Sequence, residues 1–368
     1  MLLVGDTDYI PTFNWQTSNG PATDLPYFLK DDADYLPDIF VGRFPVASTS
    51  QTEVMVEKTI EYEKAHWGSG TAWIKKAAFI AGVCWGVPLP SDFCEQTHNY
   101  VISTWLDPNG YTSDKLYAYT YGITNADICN ALNNGRSIAT YAGHGSRTFW
   151  HFDQDKYFTQ GDVLALINVD MYPFVFSFAC LTGDFAYPEC FGETWVRADG
   201  RGSVSYWGAS DITNWEEDDF LEKELFQAIF DDDLFQLADM TNKAKLDFYQ
   251  NYGDERRKEK YFHIYNILGD PALELWTDIP SSFDNVAITI TSTSVTVNAG
   301  VPDVIITTCS DDFSTFHESR ESVTGTETFT TSVCPLYITV TKHNYVPYRA
   351  VAGGSESAVA TAFNNSRK

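Results

Sequence analysis

Residues 137–146 read SIATYAGHGS, and residues 174–185 read FVFSFACLTGDF. Each stretch begins as a run of residues that favour β-strands and ends in a turn that contains glycine. The first turn holds His144 and the second holds Cys180. In a parallel α/β sheet, the loops that follow the strands carry the functional side chains. The pattern therefore predicts a parallel sheet with a histidine and a cysteine at the ends of two strands.

A cysteine near a histidine is an arrangement suited to thiol chemistry, because the imidazole is the base that a thiol needs near neutral pH. Gly143 and Gly145 allow a sharp turn and a close approach of a substrate. The amides of Gly145 and Cys180 are placed to face a developing oxyanion. A lone cysteine after an apolar strand is more often a small core residue. Because both strand ends carry matching glycines, we interpret His144 and Cys180 as a catalytic pair.

Both turns resemble those of the gingipain-type cysteine peptidases, whose catalytic subdomain is related to the caspases. In that family the histidine lies in a Gly-His-Gly turn and the nucleophile in an Ala-Cys-x-x-Gly-Asp-Phe turn, so His144 and Cys180 match the dyad. Further segments that look like family landmarks follow in family order: Leu2–Asp6, Asp34–Phe44 and Asn266–Leu273. The resemblance therefore covers residues 1–276.

The resemblance implies a caspase-like fold, and the order of the segments agrees with it. Strand-forming and helix-forming segments alternate, which is typical of a mostly parallel sheet covered on both faces. We predict a caspase-like three-layer α/β/α sandwich over residues 1–278. The charged stretch at residues 254–260 is predicted to be a solvated loop.

The character of the sequence changes near residue 279. Short segments rich in Thr and Val, without a helical period, predict a small all-β immunoglobulin-like sandwich over residues 279–352. Residues 353–368 are small and polar and predict a disordered tail. At the other end, the chain enters the strand-like Leu2–Val4 at once, without a signal peptide. The resemblance implies a preceding subdomain and propeptide, so we expect the peptidase domain to lack its N-terminal part.

The charge balance excludes two classes of partner. The chain has 24 basic and 50 acidic residues, a net charge of −26, which argues against nucleic acid or an anionic membrane as a partner. No run of about 18 apolar residues is present, so no membrane span is predicted. The acidity is explained by solubility outside the cell, or by bound calcium and a preference for basic substrates.

An acidic cluster lies just before the Gly42-Arg43-Phe44 motif. Oxygen ligands at alternating positions of a turn suit calcium, whereas the simpler interpretation is an exposed acidic loop. In the gingipains, the aspartate of the Leu-Val-Gly-Asp turn and acids before Gly-Arg-Phe share a calcium ion. The resemblance implies a structural calcium ion with these ligands: the side chains of Asp6, Asp34 and Asp38, and main-chain oxygens of Asp31 and Leu36.

The resemblance also implies a pocket for P1, the substrate residue on the amino side of the cleaved bond. Its walls would be Ala142, Phe178 and Trp215. Lysine-preferring members carry an acid shortly after this tryptophan, and Asp218 is our choice for that acid here. A buried carboxylate would select Lys or Arg. The alternative is that Asp218 has only a structural role, because acids at the start of a helix are favoured by the helix dipole alone.

One position departs from the family pattern. Gingipains orient the histidine with a third carboxylate, and the aligned position here is Cys84, with the next acids at Asp92 and Glu95. Either Asp92 serves from a differently arranged loop, or a backbone carbonyl fixes the imidazole.

The chain has seven cysteines, an odd number. Cys309 and Cys334 are candidates for a bridge between two strands, and Cys84 and Cys94 for a bridge across a loop, which leaves Cys180 as the odd thiol with Cys129 and Cys190 as buried single cysteines. A fully reduced chain is the alternative.

These features predict a secreted or cell-surface cysteine endopeptidase that cleaves proteins or peptides after Lys or Arg. Its own N-terminal segment or propeptide is a second expected partner. The alternatives are a non-catalytic adhesion protein on a degenerate peptidase fold, and a peptide ligase or transpeptidase that uses the same thioester chemistry.

Overall fold

The computed structural model describes residues 1–30, 34–65 and 67–353. It divides into two compact units. The first comprises Met1–Tyr62 and residues 67–277. The second comprises Glu63–Ala65 and the chain from Asp278 onward. The predicted tail lies outside the described residues, apart from Gly353.

The described part of the first unit contains short and long strands. In chain order they are β1 (Leu2–Val4), β2 (Phe13–Asn14), β3 (Ala22–Thr23), β4 (Gly42–Phe44), β5 (Lys76–Ala81), β6 (Thr112–Tyr117), β7 (Ile138–Ala142), β8 (His144–Ser146), β9 (Phe149–Asp153), β10 (Lys156–Thr159), β11 (Phe174–Phe178), β12 (Ser205–Ala209) and β13 (Tyr265–Leu268). Eight of them form one sheet in the order β1-β4-β13-β12-β11-β7-β5-β6. Every neighbouring pair in it is parallel except β12 with β13. The mostly parallel sheet is therefore confirmed.

Helices connect most of these strands. They are α1 (Thr49–Lys64), α2 (Phe93–Val101), α3 (Ala118–Tyr121), α4 (Asn125–Asn133), α5 (Gln160–Leu164), α6 (Phe191–Arg197), α7 (Trp215–Phe230), α8 (Leu237–Asn251) and α9 (Glu255–Ile264). A π-helical turn at Ile102–Leu106 continues α2. Among the described helices, none has the length and apolar character needed to cross a membrane.

Alternation along the strands assigns the helices to two faces of the sheet. Phe79 on β5 contacts His98 of α2 and Phe226 of α7, with ring centroids 5.2 and 5.7 Å apart. Its neighbour Ile80 belongs instead to a buried cluster with Leu132 of α4 and residues of α1 and α6. Successive residues of a strand point to opposite faces, so β5 packs against one helical layer on each side. This arrangement confirms the three-layer sandwich.

The prediction of a solvated loop at residues 254–260 is wrong. It forms the first part of α9, and Asp254 caps this helix by accepting hydrogen bonds from the amides of Arg256 and Arg257. The charged residues concealed the helix because the apolar residues that bury it, Tyr261, Phe262 and Ile264, come only in its second half. The aspartate that opens the charged run, directly before Glu255, was the available signal of a helix N-cap.

The described part of the second unit is all-β. Its strands are β14 (Ala287–Ile290), β15 (Ser294–Asn298), β16 (Val304–Cys309), β17 (His317–Ser322), β18 (Thr326–Thr330), β19 (Leu336–Thr341) and β20 (Tyr348–Ala352). They form the antiparallel sheets β14-β15-β18 and β17-β16-β19-β20. Alternate residues such as Val295, Val297, Ile306 and Ile338 are buried in one shared core. The unit is a two-sheet β domain, and its immunoglobulin-like type stays a prediction.

Candidate active site

The sheet brings His144 and Cys180 to the same edge. Strands β7 and β11 are parallel neighbours in which Ala142 pairs with Phe178, and the amide of Gly143 donates to the Phe178 carbonyl at 3.3 Å. His144 and Cys180 each follow two residues after this pair. Both side chains therefore emerge where the two strands end, as the sequence predicts.

Gly145 makes the closest approach between the two turns. A Cβ at this position would lie 2.7 Å from the Cys180 carbonyl oxygen and 2.9 Å from the Ala179 Cβ. Only glycine fits this spacing. The two amides expected to bind an oxyanion, those of Gly145 and Cys180, thus belong to segments in direct contact, and their role in binding it stays a prediction.

The Cys180 thiol is hydrogen-bonded to a residue that the sequence analysis missed. The amide of Thr213 donates to the Cys180 Sγ at 3.3 Å, and the Thr213 hydroxyl lies 3.8 Å from the same sulfur. Burial raises the pKa of Cys180, and the hydrogen bond from Thr213 opposes this rise only in part. The free protein therefore holds a neutral thiol at neutral pH, and deprotonation must accompany attack.

The His144 ring lies between two tryptophans. Its centroid is 4.4 Å from that of Trp85 and 4.8 Å from that of Trp215, which it meets edge to face. Burial lowers the pKa of His144, and the nearby His151 on β9 lowers it further. The Nε2 atom of His144 is buried without a hydrogen-bond partner among the described residues. A neutral imidazole with a free, buried nitrogen is suited to accept a proton.

The backbone of Trp85 is the candidate for the group that orients the imidazole. A hydrogen bond between His144 and the Trp85 backbone raises the pKa of His144, against the effect of burial. A bond with this effect has the imidazole as donor, so the acceptor is the Trp85 carbonyl. This effect on the pKa of His144 agrees with the carbonyl alternative, and the identity of the orienting group stays a prediction.

The nearby acids are engaged elsewhere. Asp92 accepts a hydrogen bond from the Gln96 side chain at 3.0 Å. Glu95 accepts the amides of Tyr119 and Thr120 at 2.9 and 3.0 Å. Neither carboxylate has a described contact with the imidazole.

A carbonyl in place of a carboxylate predicts an acid-shifted histidine. A carboxylate stabilises imidazolium through its charge, whereas a carbonyl offers only a dipole, and burial opposes the charged form. We expect His144 to titrate below the ordinary histidine value of about 6.5. NMR titration of the His144 ring in a Cys180→Ala variant, assigned with a His144→Gln variant, measures this pKa directly. A value at or above about 6.5 would contradict the environment described here.

The predicted P1-pocket residues belong to the strand ends and the helix next to the two turns, and their role in a pocket stays a prediction. Ala142 and Phe178 are the paired strand ends, and Trp215 contacts His144. Asp218 lies one helical turn after Trp215, fully buried, and burial raises its pKa to about 7. The hydroxyls of Tyr261 and Tyr265 donate to its Oδ1 at 2.9 and 2.7 Å. The sequence analysis missed these tyrosines because their contact with Asp218 depends on how α9 and β13 pack against α7.

Thr213 connects the nucleophile to Asp218. Its hydroxyl lies 3.8 Å from the Cys180 sulfur, and its side chain lowers the pKa of the Asp218 carboxyl against the larger effect of burial. In turn, the Asp218 charge is one of the influences that raise the pKa of Cys180. The carboxylate is therefore near the thiol rather than on a distant face of α7.

The residues predicted to bind calcium do not assemble from the described side chains alone. Within the described ranges, no group of three His, Cys, Asp or Glu side chains is arranged to hold a metal ion. Asp6 accepts hydrogen bonds from Arg197 at 2.7 Å and from the amide of Thr7 at 2.6 Å. A guanidinium at this carboxylate competes with a bound cation.

The other calcium candidates are in the loop before β4. Asp34 and Asp38 are exposed, and their carboxylates accept the amides of Leu36 at 2.8 Å and Lys30 at 2.6 Å. Asp31 lies outside the described residues. The calcium site stays a prediction.

All seven cysteines are free. Neither Cys84 with Cys94 nor Cys309 with Cys334 forms a disulfide in this structure, which agrees with the reduced alternative.

Comparison with known proteins decides the family. The model of peptidase family C25 matches residues 1–276, a range that contains both strand-end turns. The chain belongs to peptidase family C25. Its recognition as a gingipain-type peptidase is thereby confirmed.

Relatives of this C25 chain include gingipain R1 of Porphyromonas gingivalis, 28% identical over 319 residues, which cover 83% of this chain and 31% of that protein. Lys-gingipain of the same species is 32% identical over 223 residues, which cover 59% of this chain and 12% of that protein. The chain thus spans about a third or less of the length of these relatives.

Solved structures confirm the caspase-like fold of the C25 chain. The crystal structure of the Arg-specific cysteine proteinase gingipain R superposes with a TM-score of 0.78 at 23% identity, covering 95% of this chain and 82% of that one. The complex of the pro- and mature domains of a Porphyromonas gingivalis gingipain gives a TM-score of 0.77 at 23% identity, covering 95% and 84%.

Proposed function

We propose that this chain is a cysteine endopeptidase that cleaves peptide bonds after a Lys or Arg residue. The observation that carries the proposal is the chain of contacts from Cys180 through Thr213 to the buried Asp218. This arrangement supports Cys180 as the nucleophile and the nearby Asp218 carboxylate as the partner of a substrate cation.

The reaction begins from a neutral thiol and a neutral imidazole. As the Cys180 sulfur attacks the carbonyl carbon of the substrate, the thiol proton passes to the free Nε2 of His144, either directly or by way of the bound substrate. The amides of Gly145 and Cys180 stabilise the oxyanion of the tetrahedral intermediate. The imidazolium then protonates the leaving amine, and the Trp85 carbonyl keeps the ring in the required orientation. Water attacks the resulting thioester, His144 takes up its proton, and the thiol is restored.

Asp218 gives the proposed preference for a basic P1 residue. A carboxylate this deeply buried is costly unless it is paired or neutral. Tyr261 and Tyr265 both donate to Oδ1, and a substrate cation would supply the remaining charge compensation. An uncharged P1 residue would leave the carboxylate without that partner. The names of two relatives, the Arg-specific gingipain R and Lys-gingipain, agree with a cation in this pocket.

We also propose a secreted or cell-surface location and an interaction with a propeptide. The support is kinship with gingipains, among which a complex of pro- and mature domains has been solved. A calcium ion at Asp6, Asp34 and Asp38 remains part of the proposal, with Asp31 and Leu36 as main-chain ligands. Bound there, it would add structural stability and take no part in the reaction.

Cleavage of a peptide library, with and without a calcium chelator, tests the substrate class and the ion together. We expect cuts after Lys or Arg, and a lower melting temperature and activity after chelation. Cuts after acidic or apolar residues would overturn the basic preference. An unchanged melting temperature with chelator would overturn the calcium site while leaving the peptidase assignment intact.

A further inference from the structure

The turn that carries His144 and the turn that carries Cys180 are joined by an ion pair. Arg147 follows His144 by three residues, and Asp184 follows Cys180 by four. The Arg147 Nε donates to the Asp184 Oδ2 at 2.6 Å. The Asp184 side chain is 11% exposed and that of Arg147 is 45% exposed. Because one partner is largely desolvated, this pair differs from the weak ion pairs of an open surface.

Arg147 makes two more contacts with the segment after Cys180. Its carbonyl accepts the Phe191 amide at 2.6 Å, and its guanidinium lies over the Tyr187 ring, 5.7 Å from the centroid. One residue of the histidine turn therefore holds the cysteine turn and its continuation at three points, Asp184, Tyr187 and Phe191.

The cysteine turn needs external support because its backbone is strained. Leu181, directly after the nucleophile, has φ of +62°, which costs a branched side chain energy unless the surroundings enforce it. The Leu181 amide donates to the Asp211 carbonyl at 3.0 Å, and the Gly183 amide donates to the Ala209 carbonyl at 2.8 Å. These bonds anchor the turn to β12 and the residues after it, away from His144.

We propose that Arg147 is a positioning residue, which acts through Asp184 to set the separation between the Cys180 thiol and the His144 imidazole. The inference rests on the proposed peptidase function. Backbone bonds to β12 fix one side of the cysteine turn, and the Arg147–Asp184 pair fixes the side toward the histidine. The pair matters most when His144 passes a proton to the leaving amine, since proton transfer is sensitive to small changes in geometry.

The test compares two substrates that share a basic P1 residue, a peptide amide and the matching thioester. The amide needs a proton from His144 to expel its amine, whereas a thiolate leaves without one. For Arg147→Ala we expect kcat on the amide to fall by about tenfold or more and kcat on the thioester to fall clearly less, because His144 must take the Cys180 proton with both substrates but must protonate the leaving group only with the amide. KM for both substrates should change little, because Arg147 does not line the P1 pocket.

Two further variants separate positioning from folding. Arg147→Lys keeps the cation and should recover part of the kcat on the amide. The double exchange Arg147→Asp with Asp184→Arg should have a higher kcat on the amide than either of its two single exchanges. Lys156→Ala is the matched control, because it removes the partly exposed Lys156–Asp153 pair of the nearby hairpin and should leave both rates unchanged. Melting temperatures of all variants monitor stability.

Equal losses on amide and thioester in Arg147→Ala would overturn the proposal, as would unchanged amide turnover. The failure of the underlying function gives a different result. If a Cys180→Ala variant retained amide hydrolysis, the peptidase assignment itself would be wrong, whatever the behaviour of Arg147.

Discussion

Replacing Cys180 by alanine is expected to lower peptide hydrolysis by at least about a thousandfold, because the variant lacks the thiol that is proposed to form the acyl intermediate. The fold should persist. The side chain is small, and its hydrogen bonds with Thr213 at 3.3 to 3.8 Å involve sulfur, which is a weak donor and a weak acceptor. Steady-state turnover of a peptide with Lys at P1 measures the loss, and the melting temperature checks the fold.

Cys129→Ala provides the matched control. Cys129 is also a free, partly buried cysteine, and it lies on α4, away from the two catalytic turns. Its replacement should leave turnover within about twofold of the wild type, as expected for a change outside the site. Retained turnover in Cys180→Ala, or an equal loss in Cys129→Ala, would refute the role of Cys180.

Replacing Asp218 by asparagine is expected to lower kcat/KM for Lys and Arg substrates by about a hundredfold or more, since a buried charge pair that loses one partner costs about 3–5 kcal/mol. The amide keeps the shape of the carboxylate and can still accept from Tyr261 and Tyr265, so the change isolates the charge. Kinetics with Lys, Arg and norleucine at P1 measure the switch. The rate for norleucine should be unchanged or higher.

Asp219→Asn is the control, because the neighbouring carboxylate pairs with Thr97 and Lys223 instead of facing the site. It should keep the preference for a basic P1 residue. The same preference in Asp218→Asn would show that another group recognises the cation.

The raised pKa of Asp218 adds a pH dependence with a defined sign. Its pKa is about 7, so the carboxyl becomes neutral as the pH falls through that value. In the wild type, KM for Lys substrates should therefore rise below about pH 7. In Asp218→Asn this rise of KM should vanish. A pH dependence that came from the titration of His144 would remain in that variant, so the two causes can be told apart.

The central sheet and the positions of His144 and Cys180 at its strand ends were predictable because their signals are local. The apolar runs before His144 and Cys180 are buried strands, and the glycines in the turns match contacts that leave no room for a side chain. A strand buried on both faces reads as a continuous apolar run. Such a run can be recognised from the sequence alone.

The groups that tune the site were not predictable, since they reach it from distant parts of the chain. Thr213 touches Cys180 only because β12 lies beside β11. The Trp85 carbonyl is a backbone group and leaves no trace in residue identity. Tyr261 and Tyr265 reach Asp218 only once α9 and β13 pack under α7. Contacts of this kind depend on tertiary packing, which local periodicity does not encode.

The most direct test of the account is the mass of the protein after reaction with a peptidyl-lysyl chloromethyl ketone, followed by peptide mapping. We predict a single adduct on Cys180, formed much faster than with a norleucine analogue, and strongly slowed in Asp218→Asn. No adduct on Cys180, while the small reagent iodoacetamide still modifies it, would contradict a thiol that attacks substrates carrying a basic P1 residue. Labelling at a different cysteine would contradict it equally.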